Sequence, residues 1–325
     1  MRVRFFALVV VGLFVVTSLS PSIIYHENTK IDYDSQNQFS STSDDTSSDY
    51  NQMIKKIDVA LQYAPKIIEG TGHDYGYNID SDNGIICVSG RFLGNLTFDT
   101  KDSNPINLHS TRFDGYIACG HIEEVEINNT WLWAERIGGH GNDITNDLTL
   151  DGGFAYTAST LDGNITSPVF ETTQGKSVLI SKFNLQSGAL DKYFIFDTEN
   201  DDFADSIVVF ENRLISATHT ITNPGNFTYH LNESNNSKSG TLPFPGGVDI
   251  VIVNINQSNL MDSVISVHGG NSSEHIVNMI VGQNQIIAVG SNSDNTELGG
   301  VIASGFGGFS AELSFNATQV LNFKI

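Results

Sequence analysis

The chain has 325 residues, of which 39% are hydrophobic and 16% charged, with 30 glycines. That length supports one large domain with a real core, and the glycines suit an all-β protein with many turns. A formal net charge of −21 repels phosphate backbones, which argues against nucleic acid as a partner and otherwise serves solubility.

Residues 1–22 read as a secretory signal peptide. Arg2 and Arg4 precede the apolar run Phe5 to Val16, which is shorter than the roughly 20 residues of a comfortable membrane span. Ser18, Ser20 and Ser22 offer small residues for cleavage, while Pro21 disfavours cleavage directly after Ser20. An uncleaved signal anchor is the alternative and would be the only membrane attachment. No cysteine stands here to carry a lipoprotein anchor. The expected location is extracytoplasmic, secreted or at the cell surface. Residues 23–61 form a Ser/Asp/Asn-rich linker. Its stretch Gln36 to Asp49 has almost nothing apolar to bury and is expected to be disordered. Met53 to Tyr63 reads as a short helix or a lead-in.

Residues 62–325 repeat. An acidic residue stands 16 positions before a small residue that ends an apolar segment, four times: Asp74 to Gly90, Asp143 to Ser159, Asp202 to Thr218 and Glu274 to Gly290. Between them lie two apolar segments joined by a polar or glycine turn, and two further β-like segments follow. Four strands per unit, in tandem, predict a β-propeller-like array of four-stranded antiparallel blades. The units fall at about 69–137, 138–197, 198–267 and 268–325.

In the second unit the predicted strands are Ile144 to Leu150, Phe154 to Ser159, Ser177 to Phe183 and Tyr193 to Phe196. Asp151-Gly152-Gly153 is the tight turn. Asp114, Ser177, Asp249 and Gly307 open the third strands. Outer strands are predicted at Trp131 to Ala134, Tyr193 to Phe196, Val264 to Val267 and Val320 to Lys324. A fifth falls before the first unit, at Tyr63 to Ile68. Five outer strands for four units predict a larger propeller truncated at Ile325, or a spare strand that pairs elsewhere. Leu161 to Gly175 and Thr220 to Gly247 are expected to be long loops and the contact surface for a partner.

This ordered set resembles the SBBP-type β-propeller repeat of secreted and surface proteins of bacteria and archaea. The first unit carries it best. Asp82-Asn83-Gly84-Ile85-Ile86-Cys87-Val88-Ser89-Gly90 leads into Gly90-Arg91-Phe92-Leu93-Gly94-Asn95-Leu96-Thr97-Phe98, and Asp114-Gly115-Tyr116-Ile117-Ala118 follows. The second unit keeps Trp133-Ala134, Gly138-Gly139, Asp143 and Lys182. The later units depart from the pattern: Thr218 replaces the strand-ending glycine and Gly307 the strand-opening aspartate. The resemblance implies a propeller-like fold outside the cytoplasm and no catalytic residues.

The chemistry outside the repeat is sparse. Cys87 and Cys119 fall on neighbouring strands of one unit. A disulfide there would close a loop of about 33 residues, for roughly 3–4 kcal/mol; two separate buried thiols are the alternative. Nine sequons, at Asn95, Asn128, Asn164, Asn226, Asn232, Asn235, Asn256, Asn271 and Asn316, offer N-glycosylation sites in an exported chain. No cofactor or metal is expected. Asp80 to Gly84 reads as a turn, with a calcium loop as the lesser reading, since Arg91 stands where an EF-hand needs Glu. The cassette acids read as caps of the lead turns. The histidines, among them His140, His219, His268 and His275, show no zincin spacing, and no nucleophile elbow occurs. Trp131 and Trp133 read as packing residues before sugar-stacking ones. The function expected is a non-catalytic binding or scaffold propeller that recognises protein or glycan at the cell surface. A polysaccharide lyase or hydrolase and a purely structural spacer are the alternatives.

Overall fold

The structure, a computed structural model, describes residues 68 and 70–324, apart from 164, 168, 171–174, 223–224, 234–235, 245, 270–272, 283–284, 293–295, 299–300, 304–306 and 315–319. The signal, the linker and the outer strand expected from Tyr63 lie outside the described residues. Ile68 alone of that strand is described, and it packs on the core of the first unit.

Four antiparallel units follow one another. The first comprises β1 (Asp74–Asp82), β2 (Ile85–Phe98), β3 (Ile106–His121), the short helix α1 (Ile122–Asn128) and β4 (Trp133–Gly139). Next come β5 (Ile144–Asp151), β6 (Phe154–Asp162), β7 (Ile165–Ser167), β8 (Val169–Phe170), β9 (Lys176–Asn184) and β10 (Leu190–Thr198). The third unit holds β11 (Asp201–Phe210), β12 (Arg213–Thr222), β13 (Gly225–Glu233), β14 (Asn236–Phe244), β15 (Gly247–Asn256) and β16 (Val264–His268). The fourth holds β17 (Glu274–Val281), β18 (Ile286–Asn292), β19 (Thr296–Leu298), β20 (Val301–Ala303), β21 (Gly307–Leu313) and β22 (Val320–Lys324). Each unit has a sheet in chain order: β1-β2-β3-β4, β5-β6-β9-β10, β11-β12-β15-β16 and β17-β18-β21-β22. The fold is thus all-β, in several antiparallel sheets.

Tight turns make the first hairpins. Between β1 and β2, Asn83 and Gly84 take φ of 49° and 79°; between β5 and β6, Gly152 and Gly153 take 58° and 83°. Positive φ at both central residues matches the twist of the flanking strands, and asparagine and glycine tolerate it.

The units stack through their first strands: β1 packs on β5, β5 on β11 and β11 on β17. Among the described residues no comparable packing joins β17 back to β1. Apolar cores fill the seams. Ile117 and Ile137 meet Leu148 and Leu150, Ala158 and Ile180 meet Ile207 and Leu214, and Ile215 and Ile252 meet Met279 and Ala288. Strands apolar on both faces follow from this where a sheet is covered on two sides, whereas the fourth sheet keeps Val277, Val289 and Leu321 exposed.

The two stretches expected to be loops are corrected. Thr220 to Gly247 contains the hairpin β13–β14, whose first strand pairs with β10 of the preceding unit, Phe194 opposite Glu233 through Thr198 opposite Tyr229. Likewise β7–β8 reaches back to the end of β4, where Gly139 lies opposite Ile165. In the first unit the tip of β2 makes an isolated bridge, Leu96 to Gly70. Each hairpin thus covers a sheet edge that would otherwise offer unpaired backbone groups. Phe227, Leu231 and Phe244 bury themselves in the process. The alternation of apolar and polar residues in Asn226 to Leu231 was the available signal.

Candidate functional site

The cassette acids cap the lead turns. Asp143 accepts from the backbone N–H of Gly139 at 2.8 Å and of Asp162 at 2.7 Å. Asp202 accepts from the N–H of Thr198 at 2.7 Å and from the Thr220 hydroxyl at 2.5 Å. Asp74 takes the N–H of Gly70. In all three one donor is the backbone N–H four residues upstream. Asp143, Asp202 and Glu274 are fully buried. Burial pushes the Asp143 carboxyl up to about 7 and that of Asp202 to about 8, against the hydrogen bonds that pull them down.

The small member of each cassette lies opposite the residue two after the acid: Gly90 on Gly76, Ser159 on Thr145, Thr218 on Ala204 and Gly290 on Ile276. In the outer two units the space is taken. A Cβ on Gly90 would stand 1.8 Å from the Tyr75 carbonyl oxygen, and one on Gly290 2.3 Å from that of His275.

One place further, all four first strands carry the same β-bulge. The extra residue is Tyr77, Asn146, Asp205 or Val277. A bulge re-aims side chains at a fixed point of a sheet. Two sets of residues result, and the sequence marked His219 and His275 among them only as histidines without zincin spacing.

The first set, just past the bulge, is a buried polar ladder across the seams. Asp147 Oδ1 accepts from Asn78 Nδ2 of the first unit and from its own neighbour's N–H, Leu148, at 2.8 Å. Asp147 Oδ2 accepts from the third unit, the Ser206 hydroxyl at 2.7 Å and the Ile207 N–H at 2.8 Å. Ser206 Oγ in turn accepts the Met279 N–H of the fourth unit at 3.0 Å. A carboxylate this deeply enclosed persists only with such donors around it.

The second set is half-buried and carries the candidate chemistry. Arg91 is walled by three aromatic rings: its guanidinium carbon lies 4.7 Å from the centre of Tyr75, 5.7 Å from Tyr77 and 4.5 Å from Phe113. In the second unit Asn146 Oδ1 accepts from the Thr160 hydroxyl at 3.0 Å. In the third, His219 Nδ1 contacts both oxygens of Asp205, at 2.9 and 3.0 Å. Phe203 stacks on the His219 ring at 4.7 Å and 8°, and Lys176 stands 4.5 Å from the centre of Phe203. His275 of the fourth unit lies 5.9 Å from His219, centre to centre, and its Nε2 meets the Ser291 hydroxyl at 3.0 Å. Burial raises the Asp205 carboxyl, opposed by the hydrogen bond and charge of His219. Bases, acids, hydroxyls and aromatic faces therefore stand at the bulges of successive units, and His219 and His275 come together between the third and fourth.

Other sequence candidates find plain places. Cys87 and Cys119 are opposite residues of β2 and β3, fully buried and joined by a disulfide with Cα atoms 4.1 Å apart. Trp133 is buried and donates its indole N–H to Leu185 O at 2.9 Å. Trp131 is buried edge-on against Phe98, so neither offers a face to a sugar. Asp80 Oδ2 accepts the Leu150 N–H at 2.8 Å, and Asp82 and Asn83 serve the turn. Among the described residues no group of three or more His, Cys, Asp or Glu is set to hold a metal ion. Asn95, Asn128 and Asn226 are exposed and Asn232 and Asn256 half-buried, while Asn164, Asn235, Asn271 and Asn316 lie outside the described residues. No helix among the described residues is long and apolar enough to cross a membrane.

No known protein family matches the chain. No curated protein matches it either.

Proposed function

We propose that the chain is an extracytoplasmic, non-catalytic recognition module, a β-propeller-like array of SBBP-type repeats that binds a glycan at the bulged end of its first strands. The observation that carries this reading is the bulge common to all four units, which sets Tyr77, Asn146 and Asp205 beside Arg91, Thr160 and His219. Aromatic faces next to amide, hydroxyl and charged groups are what a sugar ring needs: one apolar face and several directed hydrogen bonds. A peptide added as an extra strand is disfavoured, because hairpins cover the outer edges of the first two sheets.

The Asp205–His219 pair beside His275 and Ser291 supports a second reading, a polysaccharide lyase or hydrolase, since such a set could move a proton. Binding of the secreted chain to a glycan panel separates the two. Recognition predicts a retained, chemically unchanged glycan and at least tenfold weaker binding by Tyr75→Ala and His219→Ala. Cleaved products would establish the enzyme instead. A chain that retains no glycan would leave recognition of a protein, or the structural spacer.

A further inference from the structure

The first and third units use one register position differently. In both, the residue after the cassette acid is aromatic and lies opposite a base: Tyr75 faces Arg91, and Phe203 faces His219. Both pairs stack, at 4.7 Å in each case. The bulged residue completes the group. In the third unit it is Asp205, which supplies His219 with a carboxylate from within the chain. In the first unit it is Tyr77, which hydrogen-bonds Arg91 but is uncharged. Among the described residues no carboxylate pairs with Arg91, and its buried Nε has no hydrogen-bond partner.

We infer that Arg91 receives an anionic group of the ligand, a sugar carboxylate standing where Asp205 stands for His219. This rests on the recognition reading above and names its substrate class. A guanidinium is planar, always charged and suited to two parallel hydrogen bonds with a carboxylate. Three aromatic walls shield it from water and strengthen that pairing. In a chain with a net charge of −21, a guanidinium with no ion pair among the described residues has a place for a ligand's anion. The same negative charge repels a dense polyanion, so the ligand is a glycan bearing isolated uronic or other acidic sugars.

The test uses the full chain and short glycans ending in glucuronic, galacturonic or sialic acid, each beside its methyl ester. The ester keeps the ring and hydroxyls and removes the charge. Titration calorimetry is expected to show the acids binding at least tenfold more tightly than the esters. Arg91→Gln should remove that preference. Tyr77→Asp should remove it too, by giving Arg91 the internal carboxylate that the third unit already tolerates at this position. Thermal melting of each variant reports whether the fold survives, and the bulge precedent makes Tyr77→Asp the decisive case. Equal binding of acids and esters, or a folded Tyr77→Asp that keeps the preference, would overturn the inference and leave glycan recognition standing. Binding of neither form would overturn both.

Discussion

Asp147 Oδ2 accepts a hydrogen bond from Ser206 Oγ at 2.7 Å, across the seam between the second and third units. The two residues are 59 positions apart, and each stands four after its cassette acid. The repeat therefore sets strand spacing within a unit and also lines up a polar contact between units. Asp147→Ala removes the acceptor of a buried hydroxyl and of the Ile207 N–H. Losing one partner of a buried charged network costs roughly 3–5 kcal/mol. Ser206→Ala should cost less, about 1–2 kcal/mol. Urea unfolding of the two variants measures both.

Stability should rise as pH falls from about 8 toward about 4. The buried carboxyls of Asp143 and Asp202 bind protons up to about 7 and about 8, whereas an unfolded aspartate releases its proton near 4. Between those values the folded state holds more protons than the unfolded one, so raising the pH destabilises it. Melting temperature measured from pH 8 down to pH 5 should increase, and Asp202→Asn should flatten the upper part of that slope.

Reducing agent alone should leave Cys87–Cys119 intact, because both residues are fully buried in the seam core. Once unfolded and reduced, the chain loses a cross-link whose chain-entropy contribution is about 3–4 kcal/mol. Alkylation followed by intact mass, with and without denaturant, checks the first point. Unfolding of Cys87→Ser/Cys119→Ser checks the second.

Gly90→Val should be among the most damaging single substitutions, costing more than about 3 kcal/mol. Its Cβ would sit 1.8 Å from the Tyr75 carbonyl oxygen, which is backbone and cannot swing aside. Ser159→Ala at the corresponding position of the second unit should cost about 1 kcal/mol, since a Cβ is already accommodated there.

Deleting residues 225–244 should make the chain aggregate. The deletion exposes the edge of β10 and strips Phe227, Leu231 and Phe244 from the core. Light scattering after refolding reports it.

The spacing from Asp74 to Gly90 was readable because a strand, a two-residue turn and a second strand give a fixed count. The caps were readable because Asp143 and Gly139 are close in sequence. The ladder was hidden for the opposite reason. Asn78, Asp147 and Ser206 differ in type, and their partners lie far along the chain. The pairing of His219 with Asp205 depends on a bulge that no local pattern marks. Hairpin β13–β14 was hidden by its polar second strand, Asn236 to Gly240, whose alternating exposure suits an outermost strand but reads as a loop.

Amide hydrogen exchange at Leu148, Ile207 and Met279 tests most directly whether the units are joined by one continuous ladder. All three should exchange in the slowest class, and Asp147→Ala should accelerate all of them together, including Met279, whose N–H is held by Ser206 Oγ. Rapid exchange at Ile207 or Met279 in the unaltered protein, or acceleration confined to Leu148, would contradict a continuous ladder.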